Sequence, residues 1–186
     1  MEIVLGSKSA RRKELLELMG YDFSVDYVDI DEVVNNYKTP VEYAKKVVTK
    51  KGNLISKKYK DKLVICADTI VVLGNEIINK PVDINDARDM ISSLSNKEHK
   101  VITAVYLKYK DYKKVFYEVT KVYFDKLSNK EIEDYINTKE PYDKSGGYGI
   151  QGIFGKHIKK INGDFYNVMG LPINRLYEEI KKIKSI

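Results

Sequence analysis

Leu63-Val64-Ile65-Cys66-Ala67-Asp68-Thr69-Ile70-Val71-Val72-Leu73 is the stretch on which the fold turns. It reads as two apolar runs, 63–67 and 70–73, parted by the polar pair Asp68-Thr69. Short apolar runs bounded by turn signals are those of sheet strands. Gly74-Asn75 then reads as a hairpin turn into a further strand at 76–78. A carboxylate inside so apolar a run carries a large desolvation cost unless it faces a metal, a cation or a cleft. Asp68 therefore has two readings. It is a rigidly aimed metal ligand or general base at a strand end, or an acid capping a bend formed by Asp68-Thr69.

Upstream, a short strand at 2–5 runs through Gly6-Ser7-Lys8 into a helix from about Ser9 to Met19. Ser9 is its expected N-cap, Leu15, Leu16, Leu18 and Met19 its apolar face, and Gly20 its stop. Tyr21 to Ile30 alternates loosely and predicts a strand, ending in the acidic Asp29-Ile30-Asp31-Glu32. Thr39-Pro40-Val41-Glu42 combines a capping box with Pro at the first helical position, predicting a helix from 40 to about 57. Downstream, Asp83 caps a helix over 84–94 with Ala87, Met90, Ile91 and Leu94 on one face. Strands at about 100–109 and 114–124 form a hairpin turned by Lys110-Asp111-Tyr112. Ser128-Asn129-Lys130-Glu131 is a second capping box, opening a helix to about 137. Residues 138–157 are glycine-rich without a helical period and read as loop. Short strands then lead to Leu171-Pro172 and a C-terminal helix. Strands and helices mixed without strict alternation predict an α/β or α+β sheet rather than a regular doubly wound one.

With 186 residues the chain fits one domain over 1–186, with room for two lobes around a cleft. A chain of this size buries roughly 70% of its unfolded surface, so no disulfide or metal staple is needed. The single cysteine, Cys66, reads as a small buried hydrophobe and suits a reducing compartment. No apolar stretch approaches the ~20 residues that span a bilayer, and the N-terminus reads as a strand rather than a signal peptide. A soluble, cytoplasmic protein is expected. The net charge is +6, carried by 29 lysines against four arginines. The lysine excess reads as compositional bias or as attraction to polyanions. Two of the four arginines, Arg11 and Arg12, stand side by side, where a planar bidentate phosphate clamp would be wanted.

That pair belongs to Gly6-Ser7-Lys8-Ser9-Ala10-Arg11-Arg12, a strand-to-helix junction. Such a junction aims backbone N–H groups and a positive dipole end at whatever binds there. The Walker A spacing is absent, so the choice lies between a phosphate site of another kind and an ordinary capped helix with solvated basic residues. Glu32 reads as a second carboxylate for a hard divalent ion, or as a solvated loop acid. Gly147-Tyr148-Gly149-Ile150-Gln151-Gly152 matches Gly-x-Gly-x-x-Gly, but no strand–helix context surrounds it and only 34 residues follow. A dinucleotide fold is excluded. What survives is a loop presenting the Gln151 amide, able both to donate to and accept from a base edge. His99 and His157 are isolated, and neither a metal-ligand spacing nor a Ser or Cys triad has support. Fifteen tyrosines are scattered mostly along strands and read as packing surface.

Taken in order, six segments resemble the Maf family of nucleotide pyrophosphatases, within the inosine-triphosphatase-like architecture. They are Gly6 to Arg12, Ala67-Asp68-Thr69-Ile70-Val71-Val72, Asn79-Lys80-Pro81, Glu140-Pro141-Tyr142-Asp143-Lys144-Ser145-Gly146, Gly149-Ile150-Gln151-Gly152, and Gly163-Asp164-Phe165-Tyr166-Asn167-Val168-Met169-Gly170-Leu171-Pro172. The resemblance implies an elongated mixed sheet flanked by helices, with a cleft between two lobes. It makes Asp68 the catalytic carboxylate, and Glu32 and Asp68 the holders of a divalent metal cation, Mg or Mn. Ser7, Arg11, Lys51 and Lys80 match polyphosphate contacts, with Lys50 as the alternative to Lys51. Arg12, Thr69 and Gln151 match positions that set base choice, and Ile150-Gln151-Gly152 looks like the branch acting on dTTP and UTP. Ala10 stands where the family commonly has Pro, and Gly52 where it commonly has Ala. Both changes predict loosened local packing.

The implied reaction is nucleoside triphosphate plus water giving the monophosphate and pyrophosphate, in a house-cleaning role. The expected partner is the nucleotide substrate, with a homodimer left open and neither a membrane nor a specific nucleic acid implied. Three rivals remain. One is the same chemistry on a modified purine nucleotide. Another is a non-hydrolysing nucleotide-binding regulator of cell division. The third is a nucleic-acid binder suggested by the +6 charge, which no arginine-rich or aromatic-interleaved motif supports.

Overall fold

The computed structural model describes residues 1–29 and 33–184. In chain order the elements are β1 (Ile3–Leu5), α1 (Ala10–Leu18), β2 (Phe23–Val25), α2 (Pro40–Ser56), β3 (Leu63–Leu73) and β4 (Glu76–Ile78). There follow α3 (Ile84–Leu94), β5 (Glu98–Tyr109), β6 (Tyr112–Phe124), α4 (Asn129–Ile136), β7 (Ile158–Asn162), α5 (Phe165–Met169) and α6 (Ile173–Lys184). The strands form one seven-stranded sheet in the order β2-β1-β3-β5-β6-β7, with β4 paired to β3. β1 runs parallel to both β2 and β3, whereas β4 and β7 pair antiparallel to β3 and β6. The sheet is mixed and helix-flanked, as the interleaved strand and helix patterns predict.

Helix starts follow local chemistry. Ser9, Thr39, Asp83 and Ser128 each accept a hydrogen bond from the backbone N–H three residues on. Only Ser128 completes a capping box. At Thr39 the returning carboxylate, Glu42, takes the N–H of Lys38 instead.

The chain divides into two compact units. One comprises Met1–Asp68, Thr103–Glu118 and Gly170–Ile186; the other comprises Thr69–Ile102 and Val119–Met169. In the first, Leu15 and Leu16 of α1, Val47, Val48 and Ile55 of α2, and Leu63 to Ala67 of β3 are buried, together with Leu176, Ile180 and Ile183 of α6. In the second, Ala87, Ile91 and Leu94 of α3 join Val122 and Phe124 of β6, Ile132 and Ile136 of α4, and Phe154.

Four expectations need correction. The strand foreseen over 21–30 shrinks to Phe23–Val25, because only those residues pair with β1. Leu18 is exposed, since the buried stripe of α1 is confined to Leu15 and Leu16. Residues 165–169 form a short helix, with Asp164 Oδ1 accepting the Tyr166 N–H as the turn begins. Asp68-Thr69 is no bend: β3 passes straight through it, so Asp68 lies inside a strand and not at its end.

Candidate active site

Asp68 and its surroundings follow from the two-residue period of β3 and the four-residue period of α2. Gly6, the residue after β1, donates its N–H to the Ile65 carbonyl at 2.7 Å. A Cβ on Gly6 would lie 2.3 Å from Cys66 Sγ and 2.6 Å from Ile55 Cδ1, so only glycine lets α2 close onto this point. Cys66 and Asp68 share one face of β3. Ile55 and Lys51 share one face of α2. With Ile55 seated against Gly6, Lys51 falls one turn earlier and reaches Asp68, its Nζ donating to Oδ1 at 2.9 Å. Asp68 is only 7% exposed. The Lys51 ammonium offsets the cost of burying that carboxylate.

Geometry separates the two neighbouring lysines. Lys51 faces Asp68, whereas Lys50 is exposed and lies with Lys45 and Lys46 along an open groove on the outer side of α2. The expectation of loose packing at Gly52 is overturned. A Cβ there would stand 2.3 Å from the Tyr106 ring, so the tyrosine occupies the room an alanine would need. Tyr106 Oη is tied to Ser56 Oγ at 3.2 Å and donates to Asn53 Oδ1 at 3.3 Å.

At the junction of β1 and α1, Ser7 Oγ accepts hydrogen bonds from the Ser9 N–H and from Arg12 Nη1, both at 3.2 Å. Arg12 Nε donates to the Gly170 carbonyl at 2.9 Å. The guanidinium is thereby held from two sides at the carboxyl end of a parallel strand, beside a helix N-terminus. Arg11 is half-buried on α1. The Lys51 and Arg12 charges both favour the Cys66 thiolate. Burial nonetheless dominates there and pushes the thiol up to about 12, so Cys66 is an inert packing group.

The remaining candidates belong to the second unit. Thr69 follows Asp68 on β3, and its carbonyl accepts from Ser145 Oγ at 3.1 Å. Lys80 is exposed between Asn79, whose carbonyl accepts the Gly146 N–H at 3.0 Å, and the buried Pro81. Gly146 (φ +74°) lies against Val71, where a Cβ would come within 2.8 Å. Gln151 is exposed in the turn closed by the Gly152 N–H on the Gly149 carbonyl at 3.3 Å. Thr69, Lys80 and the 145–147 segment are thus gathered by backbone contacts within this unit.

Glu32 lies outside the described residues. Among the described residues no three His, Cys, Asp or Glu side chains come together as a metal cluster. Asp68 still fits a hard divalent cation: it offers a buried carboxylate with one oxygen engaged by Lys51. Mg²⁺ is commonly held by one or two carboxylates and the substrate's own phosphates. No helix among the described residues is long and apolar enough to cross a membrane.

Sequence reasoning missed Glu140 as more than part of a motif. Its carboxylate accepts the N–H of Ile153 at 2.8 Å and of Phe154 at 3.4 Å. The signal was a glycine, Gly152, whose absent Cβ makes room for that carboxylate.

Curated relatives match along nearly the whole chain. A dTTP/UTP pyrophosphatase of Clostridioides difficile is 42% identical over 188 residues, covering 100% of this chain and 97% of that protein. One of Thermosipho africanus is 47% identical, covering 96% and 91%. One of Acholeplasma laidlawii is 43% identical, covering 99% and 97%. Among solved structures, the Staphylococcus aureus Ham1 protein aligns with a TM-score of 0.48 at 16% identity, over 67% of this chain and 72% of that one. The family profile described as Maf-like protein matches residues 2–183, a span that takes in the Ser7–Arg12 junction, the Asp68–Lys51 pair and the Gln151 turn alike. On that match and those identities, the chain belongs to the Maf-like protein family.

Proposed function

We propose that the protein is a nucleoside triphosphate pyrophosphatase that converts dTTP and UTP to the monophosphate and pyrophosphate, in a house-cleaning role. One observation carries the reading: a buried Asp68–Lys51 pair, together with an Arg12 anchored on both Ser7 and Gly170 at the β1–α1 junction. The full-length relatives that bear the name dTTP/UTP pyrophosphatase support the choice of substrate.

In this reading the polyphosphate lies at the N-terminus of α1. The Ser7 hydroxyl, which accepts two hydrogen bonds, keeps its own proton to donate to a phosphate oxygen. Arg11, Lys51 and Lys80 neutralise charge on the phosphates. Asp68 takes a proton from the attacking water as its oxygen bonds to the α-phosphorus, and the bridging oxygen leaves with pyrophosphate. A divalent cation, Mg²⁺ or Mn²⁺, would be held by Asp68 and Glu32 and would supply Lewis acidity toward the phosphate oxygens. Arg12, Thr69 and Gln151 set base choice.

Pyrophosphate release measured over a panel of pyrimidine and purine triphosphates tests the reading. The expected result is the highest kcat/KM for dTTP and UTP. The Asp68→Asn protein should lose roughly 10²–10⁴ in turnover, the usual scale for a positioned base. Tight dTTP binding without turnover in Mn²⁺ would instead identify a non-hydrolysing regulator, and a purine at the head of the ranking would refute the pyrimidine assignment.

A further inference from the structure

We infer that Glu140 is a positioning residue for base choice, its carboxylate clamping the turn that presents Gln151. The inference rests on the reading of Gln151 given above. Gln151 occupies the third position of the turn Gly149-Ile150-Gln151-Gly152, closed at 3.3 Å between the Gly152 N–H and the Gly149 carbonyl. The aim of a side chain on such a turn depends on how firmly its backbone is fixed. Beyond the turn, the Gly152 carbonyl accepts the Gly155 N–H at 3.0 Å, which leaves the amides of Ile153 and Phe154 to find acceptors of their own.

Glu140 supplies those acceptors. Its Oε2 accepts the Ile153 N–H at 2.8 Å and its Oε1 the Phe154 N–H at 3.4 Å, so both amides leaving the turn end on one carboxylate. Charge-assisted bonds of this kind are about twice as strong as neutral ones. The Tyr135 hydroxyl stands 3.4 Å from Oε1 and 3.0 Å from the Gly147 carbonyl, bracing the carboxylate and the backbone before the turn together. Gly152 lies flat against the same group: a Cβ there would be 2.3 Å from Oε1 and 2.4 Å from Cδ. The entry side is seated similarly. Lys144 Nζ donates to the Glu140 carbonyl at 2.7 Å, and a Cβ on Gly149 would meet Lys144 Cε at 2.9 Å. The two glycines flanking Ile150-Gln151 are therefore small because the turn is pressed onto Glu140 and Lys144. Selectivity that depends on a polar group reading a base edge is lost when that group is no longer pre-aimed.

The test is steady-state pyrophosphate release from dTTP, UTP, GTP and ATP by Glu140→Gln, Gly152→Ala and Gln151→Ala proteins, with thermal midpoints measured alongside. Glu140→Gln keeps the shape but replaces one acceptor oxygen by an amide NH2, a donor facing an N–H. The backbone at Gly152 is extended, so Gly152→Ala pushes on the same carboxylate from the turn's side without backbone strain. Each is expected to raise KM for dTTP and UTP about tenfold, the effect of losing one charge-assisted hydrogen bond, while kcat and the purine KM values stay within about twofold. A folded Glu140→Gln or Gly152→Ala protein with the wild-type nucleotide ranking, or with kcat lowered equally for all four substrates, overturns the positioning role. A ranking unmoved by Gln151→Ala overturns the base-reading assignment instead. Should Glu140→Gln fail to fold, the nucleotide ranking of Gly152→Ala decides between these outcomes.

Discussion

Removing the ammonium from the Asp68–Lys51 pair should destabilise the protein more than removing the carboxylate. The Lys51 and Asp68 side chains are 14% and 10% exposed, and Nζ lies 2.9 Å from Oδ1. Stripping one partner from a buried pair leaves an uncompensated charge and costs about 3–5 kcal/mol. Lys51→Met leaves Asp68 fixed on the backbone of β3, where its short, 10% exposed side chain cannot swing out into bulk solvent, so about 3 kcal/mol is expected. For a chain of this length each kcal/mol shifts the thermal midpoint by about 2–4 °C, giving a fall of about 6–12 °C. Asp68→Asn takes the carboxylate from Lys51 instead, but four methylenes let its ammonium swing toward solvent, and about half the loss is expected. Combining the two substitutions removes both charges and should return stability to within about 1 kcal/mol of the parent. Urea unfolding followed by circular dichroism reads all four proteins of the cycle. Equal losses in the two single variants, or a double variant as unstable as Lys51→Met, would show that the pair is solvated and the burial argument mistaken.

Acid should weaken the fold through His99. Burial holds its pKa at about 4 in the folded protein against 6.5 otherwise, with Nε2 on the Tyr148 hydroxyl at 2.7 Å and Nδ1 lacking a partner. The unfolded chain thus binds the proton first. The contribution is fully present above pH 6.5 and is lost as pH falls toward 4, about 3 kcal/mol in all; urea midpoints across this window should fall less for His99→Gln. Gly52→Ala should destabilise by about 1–2 kcal/mol despite alanine's better helix propensity, because its methyl meets the Tyr106 ring, and Tyr106→Leu in the same chain should reverse the loss. Gln151→Glu should weaken dTTP and UTP relative to purine substrates in the pyrophosphate-release panel, and an unchanged ranking would remove Gln151 from base choice.

What could be read from the sequence was local. Ser9, Thr39, Asp83 and Ser128 were legible as caps because each bonds within its own turn. Asp68 was legible because a carboxylate in an apolar run needs a partner. Which lysine supplies that partner could have followed from the same kind of pattern: Ala44, Val47, Val48, Lys51 and Ile55 keep the helical period of the buried face of α2, which Lys50 does not share. The continuity of β3 through Asp68-Thr69 was not legible, because strand neighbours decide it rather than the two polar residues themselves. The strand at 21–30 was overread for the same reason, its length being set by what β1 can pair. Glu140 escaped because its acceptor role joins residues 13 and 14 positions apart across an irregular segment.

The bond from Arg12 Nε to the Gly170 carbonyl spans 158 positions of sequence. A polypeptide growing from its N-terminus therefore displays this arginine through almost all of its synthesis before the carbonyl that anchors it exists. Shortening the C-terminus past this carbonyl should take that anchor from Arg12 and leave the one on Ser7, so the posture of a side chain encoded near one end depends on backbone supplied from the other.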